Sequence, residues 1–123
     1  MSANTPRSRK AKGRVFQQEV RQKLLETFPD LHPDNIKVSI MGESGVDIIL
    51  SPLAREHIPY SVECKRQEKL NIWDALNQAE ENKTPNTEPI VIFRRNKSEA
   101  HVMMKFEHFL KLISPLDKST SSS

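Results

Sequence analysis

The chain of 123 residues has a single cysteine, and it lacks any long apolar segment. Cys64 has no partner for a disulfide within the chain, which is typical of a protein of the reducing cytoplasm. No apolar run approaches the roughly 18 residues that indicate a transmembrane helix, so no membrane span is expected. The N-terminus lacks the apolar core of a signal peptide, and we therefore do not expect secretion.

Clustered metal ligands of the zinc type are also missing. The histidines are His32, His57, His101 and His108. Their scattered positions do not match the spacing of cysteine and histidine in structural or catalytic zinc sites. A chain of this length accommodates one domain with a modest core and leaves no room for a second. It contains no internal repeat.

Acidic residues are absent from the first fourteen positions, which carry five basic ones. These five are Arg7, Arg9, Lys10, Lys12 and Arg14. The whole chain has a net charge of +3, so the remainder carries −2. A basic arm of this kind is ordinarily disordered on its own and binds a polyanion by releasing counterions. We predict that residues 1–12 form a disordered arm that binds nucleic acid; the alternative is a solubilising tail.

Two further basic clusters lie at the ends of predicted strands, next to loops. The first contains Arg66 and Lys69, and the second contains Arg94, Arg95 and Lys97. The small net charge argues against unspecific coating of nucleic acid. The three clusters together favour binding in a local groove.

Two predicted strands each contain an acid among aliphatic residues. Asp47 lies in the segment 45–50, and Glu63 lies in Val62-Glu63-Cys64-Lys65. Because Glu63 and Lys65 are two positions apart, they project from the same face of a strand. Two acids and a lysine on neighbouring strands can hold a divalent metal beside a phosphate. The alternative is a solvated strand edge, which Glu and Lys often protect from aggregation.

Mg²⁺ prefers hard oxygen ligands and usually takes one or two carboxylates together with water and substrate phosphate. A bound metal lowers the pKa of its water and offsets charge on the scissile phosphate. Lys65 can orient that water or stabilise the transition state. We expect the backbone carbonyl of Cys64 to point to the opposite strand edge from its own amide and to supply one more oxygen ligand.

This pattern of Asp47, Glu63 and Lys65 resembles the PD-(D/E)xK nuclease superfamily, and within it the archaeal-type Holliday junction resolvases and their phage relatives. The resemblance covers roughly residues 10–112. It implies that Asp47 and Glu63 are the metal carboxylates, that Lys65 is the catalytic lysine, and that the cofactor is Mg²⁺ or Mn²⁺. The proline that precedes the aspartate in the superfamily is Val46 here, and that proline has no chemical role.

The resolvases carry a glutamate on the first helix, at the position of Gln17 in this chain. The apolar stripe of the predicted helix consists of Phe16, Val20, Leu24 and Phe28. At about 100° per residue, Gln17 projects close to the centre of this stripe, whereas Glu19 points toward solvent. We predict that Gln17 reaches the site and positions a water or a phosphate. The alternatives are a buried amide for Gln17 and a surface acid for Glu19.

The resemblance singles out two more polar residues. Gln78 lies on the helix after the Glu63 strand, where several PD-(D/E)xK families direct a glutamine at the active site. Ser44 precedes Asp47, where related resolvases have a serine that touches the phosphate backbone. The alternative for Ser44 is an ordinary turn residue.

The periodicity predicts an α/β domain over residues 13–114, with the element order α–β–β–β–α–β–β–α. We expect a restriction-endonuclease-like core in which a mixed central β-sheet is flanked by helices on both faces. Residues 115–123 are rich in serine and are expected to be disordered. The predicted elements are a helix at 13–28, strands at 36–41, 45–50 and 60–65, a helix at 71–81, strands at 89–93 and 100–104, and a helix at 105–113.

Together, these features and the resemblance favour a Mg²⁺-dependent endonuclease that acts on branched DNA in phage or prokaryotic recombination, in the cytoplasm of the cell or of the phage's host. A homodimer is expected, since a four-way junction is nearly two-fold symmetric and needs two cuts. The apolar residues Phe106 and Phe109 of the last helix agree with a dimer, although they can also cover the sheet. One alternative is a nicking or restriction-like nuclease on duplex or single-stranded DNA. The other is a non-catalytic nucleic-acid-binding module.

Overall fold

The computed structural model of the chain describes residues 5–40 and 45–115. Its helices are α1 (Pro6–Thr27), α2 (Pro52–His57), α3 (Ile72–Asn82) and α4 (Phe106–Ile113). Its strands are β1 (Ile36–Val38), β2 (Ile48–Leu50), β3 (Tyr60–Arg66), β4 (Glu88–Arg94) and β5 (His101–Met103). Ser44, residues 1–4 of the predicted arm and residues 116–123 of the predicted tail lie outside the described residues.

The strands form one mixed sheet in the order β1–β2–β3–β4–β5. β3 and β4 run parallel and pair over their whole length, from Tyr60 opposite Glu88 to Arg66 opposite Arg94. The other three neighbouring pairs are antiparallel. The two long strands therefore form the centre of the sheet, and three-residue strands form its edges.

α1 packs on one face of this sheet. Its buried residues Phe16 and Val20 belong to the larger hydrophobic cluster of the described chain, together with Val62 of β3 and Ile90 of β4. Val62 and Ile90 oppose each other in the parallel ladder, so they point to the same side. The apolar stripe predicted for the first helix does face the core.

α3 packs on the opposite face. Its buried residues Ala75 and Ala79 form a second cluster with Val91 of β4. Val91 is the register partner of Glu63, so Glu63 also points toward α3. Because alanine side chains are short, this helix lies close to the strand that carries Glu63 and Lys65.

The predicted α/β architecture with a mixed sheet between helices is confirmed in this general form. The element order also agrees, except that the connection between Asp47 and Glu63 contains the six-residue helix α2. Ser51 starts this helix, because its side chain accepts a hydrogen bond from the Ala54 amide at 3.1 Å. The predicted strand at 36–41 is described as a strand only at Ile36–Val38.

The start of α1 differs from the prediction. The helix begins at Pro6 rather than at Gly13, so positions 6–12 of the predicted disordered arm are helical. Thr5 caps this end, since its hydroxyl accepts a hydrogen bond from the Ser8 amide at 3.1 Å. Proline at the first helical position has a backbone already suited to the helix and no amide that needs a partner. These two local signals outweigh the repulsion between the basic residues.

α4 leaves much of its apolar surface exposed. The side chains of Phe106, Phe109, Leu110 and Ile113 are between 38% and 69% exposed. The helix is attached through His108, whose imidazole contacts the Tyr60 hydroxyl at 2.7 Å. These apolar residues therefore do not serve mainly to cover the sheet. Among the described residues, no helix combines the length and the apolar character needed to cross a membrane.

Candidate active site

The acids and the lysine singled out in the sequence line one cleft. This open cleft has a volume of about 680 Å³, and its walls include Asp47, Glu63 and Lys65. Cys64 and Gln17 also line it. The cleft therefore brings together segments that are far apart in the sequence. They are α1, the residue before β2, and β3.

Asp47 lies just before β2 and is held by backbone hydrogen bonds to both neighbouring strands. Its amide donates to the Val62 carbonyl at 3.1 Å, and its carbonyl accepts from the Ser39 amide at 2.9 Å. Two residues earlier, Gly45 has a φ of 110°, which is accessible to glycine and costly for other residues. This turn brings the Asp47 side chain to β3.

The Asp47 carboxylate is bound by the backbone of β3. Its Oδ2 accepts a hydrogen bond from the Cys64 amide at 2.7 Å. On a strand, the amide and the carbonyl of one residue point to the same neighbour. The expectation that the Cys64 carbonyl points away from its amide is therefore wrong. It points to the same side as its amide, toward Asp47.

Glu63 is 5% exposed, and its Oε1 atom is buried without a hydrogen-bond partner among the described residues. Burial and the nearby Asp47 carboxylate raise the pKa of Glu63 to about 7, while Lys65 and Asn82 oppose the shift. Burial likewise raises the pKa of Asp47 above its ordinary value, against the Cys64 amide and Lys65. Two partly desolvated acids that repel each other are an arrangement that a cation stabilises.

The residues present fit a hard divalent cation. No group of three or more His, Cys, Asp and Glu side chains that could hold a metal occurs in the described ranges. Mg²⁺ does not require such a group, because it is commonly held by one or two carboxylates with water and phosphate oxygens. Burial and the two acids raise the pKa of the Cys64 thiol, so its sulfur stays protonated and does not suit a metal.

Lys65 is oriented by α3. Its Nζ donates a hydrogen bond to Oε1 of Gln78 at 2.5 Å. Gln78 does not itself belong to the lining of the cleft. It therefore reaches the site through Lys65, and the catalytic role that the resemblance implies for Gln78 stays a prediction.

Asn82, at the end of α3, is a site residue that we did not predict. Its side-chain amide lies near the Glu63 carboxyl and opposes the rise of its pKa. Gln78 and Asn82 are four positions apart, a rise of about 6 Å along a helix. Glu63 and Lys65 are two positions apart, a rise of about 6.6 Å along a strand. The two amides therefore stand opposite the acid and the lysine, and the spacing on α3 is the signal that could have indicated Asn82.

The two residues of α1 considered for the site, Gln17 and Glu19, differ in their position relative to the cleft. Gln17 is half-buried and lines the cleft. Glu19 is exposed, does not line the cleft, and accepts a hydrogen bond from Arg94 Nη1 at 3.2 Å. This agrees with the helix geometry expected for both residues, and a catalytic role for Gln17 stays a prediction.

Five of the predicted DNA-binding residues share the cleft with the acids. They are Arg9, Lys10, Lys12, Arg66 and Lys69. The other described candidates are Arg7, Arg14, Arg94, Arg95 and Lys97, which do not line it. Basic residues from the first and the second sequence cluster thus converge around the acids.

The site therefore combines two desolvated carboxylates, a fixed lysine and several cations in an open cleft. This combination can bind a divalent cation next to an anionic polymer. Comparison with protein-family models, with curated proteins and with solved structures finds no match to this chain.

Proposed function

We propose that this chain is a Mg²⁺-dependent endonuclease with a restriction-endonuclease-like core, and that it hydrolyses phosphodiester bonds in branched DNA. The observation that carries the proposal is the meeting of Asp47, Glu63 and Lys65 in a cleft whose walls are basic. The choice of branched DNA, in recombination or DNA processing, comes from the resemblance of this pattern to the resolvases.

In this mechanism, Asp47, Glu63 and the Cys64 carbonyl hold Mg²⁺ or Mn²⁺. A metal held there would supply a water of lowered pKa and compensate the charge of the phosphate. Lys65 directs its ammonium group at the phosphate, where negative charge develops in the transition state. Gln78 restricts the rotamers of Lys65, so less ordering is needed when the substrate binds.

Substrate binding depends on the cations around these acids. Lys10 and Lys12 of α1, Arg66 at the end of β3 and Lys69 in the loop after it line the cleft. Contacts between such residues and phosphates release counterions, and the DNA is attracted in spite of the two acids. These cations thus hold the DNA backbone while Lys65 faces one phosphate beside the two acids.

A purely binding function is less consistent with this site. Asp47 and Glu63 lie inside the proposed binding cleft, and both have raised pKa values because they are desolvated. Without a metal they would repel a phosphate backbone and lower the affinity for DNA. A cleavage mechanism gives both acids a role, whereas a binding module would only be weakened by them.

The proposal is tested with purified protein and Mg²⁺ on four-way, flap, duplex and single-stranded DNA of matched sequence. We expect paired, symmetric incisions across the four-way junction that stop when EDTA is added. Preferential cutting of duplex or single-stranded DNA would favour the nicking or restriction-like alternative. Cleavage that persists in excess EDTA would exclude the metal mechanism.

A further inference from the structure

The Glu68 carboxylate, in the loop after β3, contacts the turn between β4 and β5. Oε2 of Glu68 accepts a hydrogen bond from Arg66 Nη1 at 3.0 Å and another from the Asn96 backbone amide at 2.8 Å. Arg66 Nη2 also donates to Oδ1 of Asn96 at 3.3 Å. Two donors, one at the end of β3 and one in the turn after β4, thus converge on one oxygen at the edge of the cleft.

A second positive group, Lys12, comes from α1. The pKa of Glu68 is held below its ordinary value by the Asn96 amide, by Arg66 and by the charge of Lys12. A guanidinium, a backbone amide and an ammonium group are the donors with which proteins bind phosphate. Lys12, Arg66 and Glu68 all line the cleft that holds Asp47 and Glu63.

We propose that Arg66, the Asn96 amide and Lys12 form a binding site for a backbone phosphate of the DNA, and that Glu68 occupies this site in the free protein. The inference rests on the proposed function, which makes DNA the source of the phosphate. A DNA phosphate displaces the Glu68 carboxylate and takes over its hydrogen bonds. The site then holds the strand at one end of the cleft, next to the metal carboxylates.

The Arg66 side chain and the Asn96 amide are held in place, whereas the Glu68 carboxylate is exposed to solvent. The Arg66 side chain is 12% exposed, and that of Glu68 is 43% exposed. The turn that carries the Asn96 amide is closed by two bonds of the Ser98 hydroxyl, one from the Arg95 amide and one to the Arg95 carbonyl, both at 2.9 Å. A preformed set of donors binds an incoming anion at little cost in ordering.

The alternative is that Glu68 only joins the loop to the turn. The two interpretations predict opposite effects of a substitution. If Glu68 occupies a phosphate site, removal of its charge strengthens DNA binding. If Glu68 is a structural link, removal of its side chain loosens the cleft and weakens DNA binding.

The test measures the binding of a fluorescent four-way junction in EDTA, as a function of KCl, for the full chain and for Glu68→Gln and Glu68→Ala. We expect both variants to bind several-fold more tightly at low salt. The slope of log K against log salt should become steeper, because the unmodified chain keeps the displaced Glu68 charge beside the DNA and the variants do not. Glu80→Gln is the control, since Glu80 pairs with Lys83 and Lys105 outside the cleft. Unchanged or weaker binding by both Glu68 variants, or an equal gain for Glu80→Gln, would overturn the proposal.

A second measurement does not depend on DNA. Inorganic phosphate is titrated into ¹⁵N-labelled protein while the Asn96 amide resonance is followed. Glu68→Gln should show a saturable shift of this resonance at several-fold lower phosphate concentration than the unmodified chain, and no such shift would refute the site. Because cleavage is assayed separately, a phosphate shift without cleavage refutes only the nuclease. Cleavage without any effect at Glu68 refutes only the phosphate site.

Discussion

The surroundings of the Glu63 carboxyl in the folded chain change the pH at which it loses its proton. In the folded chain its pKa is raised from 4.5 to about 7, first by burial and then by Asp47. Between these two values the native state binds more protons at Glu63 than the unfolded state does. The stability that this group contributes is therefore fully present below about pH 4.5 and is lost as the pH rises through 7.

Replacement of Glu63 by glutamine should therefore stabilise the metal-free protein at high pH. We expect a higher melting temperature for Glu63→Gln at pH 8 in EDTA, with a gain in unfolding free energy of at most about 3 kcal/mol. Near pH 4 the difference should disappear. Added Mg²⁺ should stabilise the unmodified chain at pH 8 much more than the variant. Melting temperatures that follow parallel pH profiles would show that Glu63 is not desolvated as described.

Single substitutions at the acids also test the chemistry. Asp47→Asn or Glu63→Gln should abolish Mg²⁺-dependent cleavage, because each removes a metal carboxylate. The affinity for DNA should stay the same or increase, since repulsion from the phosphates falls. Asp74→Asn is the matched control, as Asp74 is an exposed acid in the first turn of α3. Cleavage that survives either substitution would place the metal elsewhere.

At the level of secondary structure, α3 sets the positions of both charged groups of β3. Gln78 and Asn82 are one helical turn apart; Gln78 accepts a hydrogen bond from Lys65, and Asn82 lies near Glu63 and favours the charged form of that acid. Ala75 and Ala79 on the same face keep the helix close to the sheet. The two amides therefore act through the residues that they orient, as outer hydrogen-bond partners of metal ligands do.

The two amides should have separable effects on cleavage. Asn82→Ala should raise the Mg²⁺ concentration needed for half-maximal cleavage by about tenfold, because Glu63 loses a neighbouring amide that favours its charged form. Gln78→Ala should mainly lower the rate at saturating Mg²⁺. Asn77→Ala is the control, since Asn77 is an exposed amide on the same helix. Equal loss of activity in all three variants, with lower melting temperatures, would indicate a structural role only.

The strand that carries Glu63 was predictable because an acid within an aliphatic segment is a strong local pattern. The strand predicted at 45–50 begins only at Ile48, so Asp47 precedes it. The start of α1 was missed because the run of basic residues was given more weight than the capping signal of Thr5 and Pro6. Asn82 was missed for a different reason. Its contact depends on how closely α3 approaches β3, and that distance is set by tertiary packing.

At the scale of the whole molecule, the exposed apolar surface of α4 remains without a partner in the described chain. Phe106 is 69% exposed and Phe109 is 46% exposed. A two-fold dimer through this surface would bury it and would give two cleavage sites for the two strands of a junction. The dimer is a proposal that hydrodynamic measurements can decide.

We expect light scattering to give about twice the mass of one chain at micromolar concentration. Phe106→Glu and Phe109→Glu should each yield a folded monomer, because a charge would be buried in the interface. Leu53→Glu is the control, as Leu53 is similarly exposed on α2. A monomeric mass for the unmodified chain would rule out this dimer.

The way Asp47 joins the site has a consequence for heat inactivation. Glu63, Lys65 and their amide partners all belong to the contiguous unit β3–α3–β4, whereas Asp47 comes from the adjoining β1–β2 hairpin. In the described residues, β2 joins β3 through one register pair, Ile48 opposite Val62, and two hydrogen bonds of Asp47, one from its amide to the Val62 carbonyl and one to its carboxylate from the Cys64 amide. Such an edge can fray while the central unit persists. On heating, cleavage activity should therefore be lost several degrees below the melting temperature of the unit β3–α3–β4.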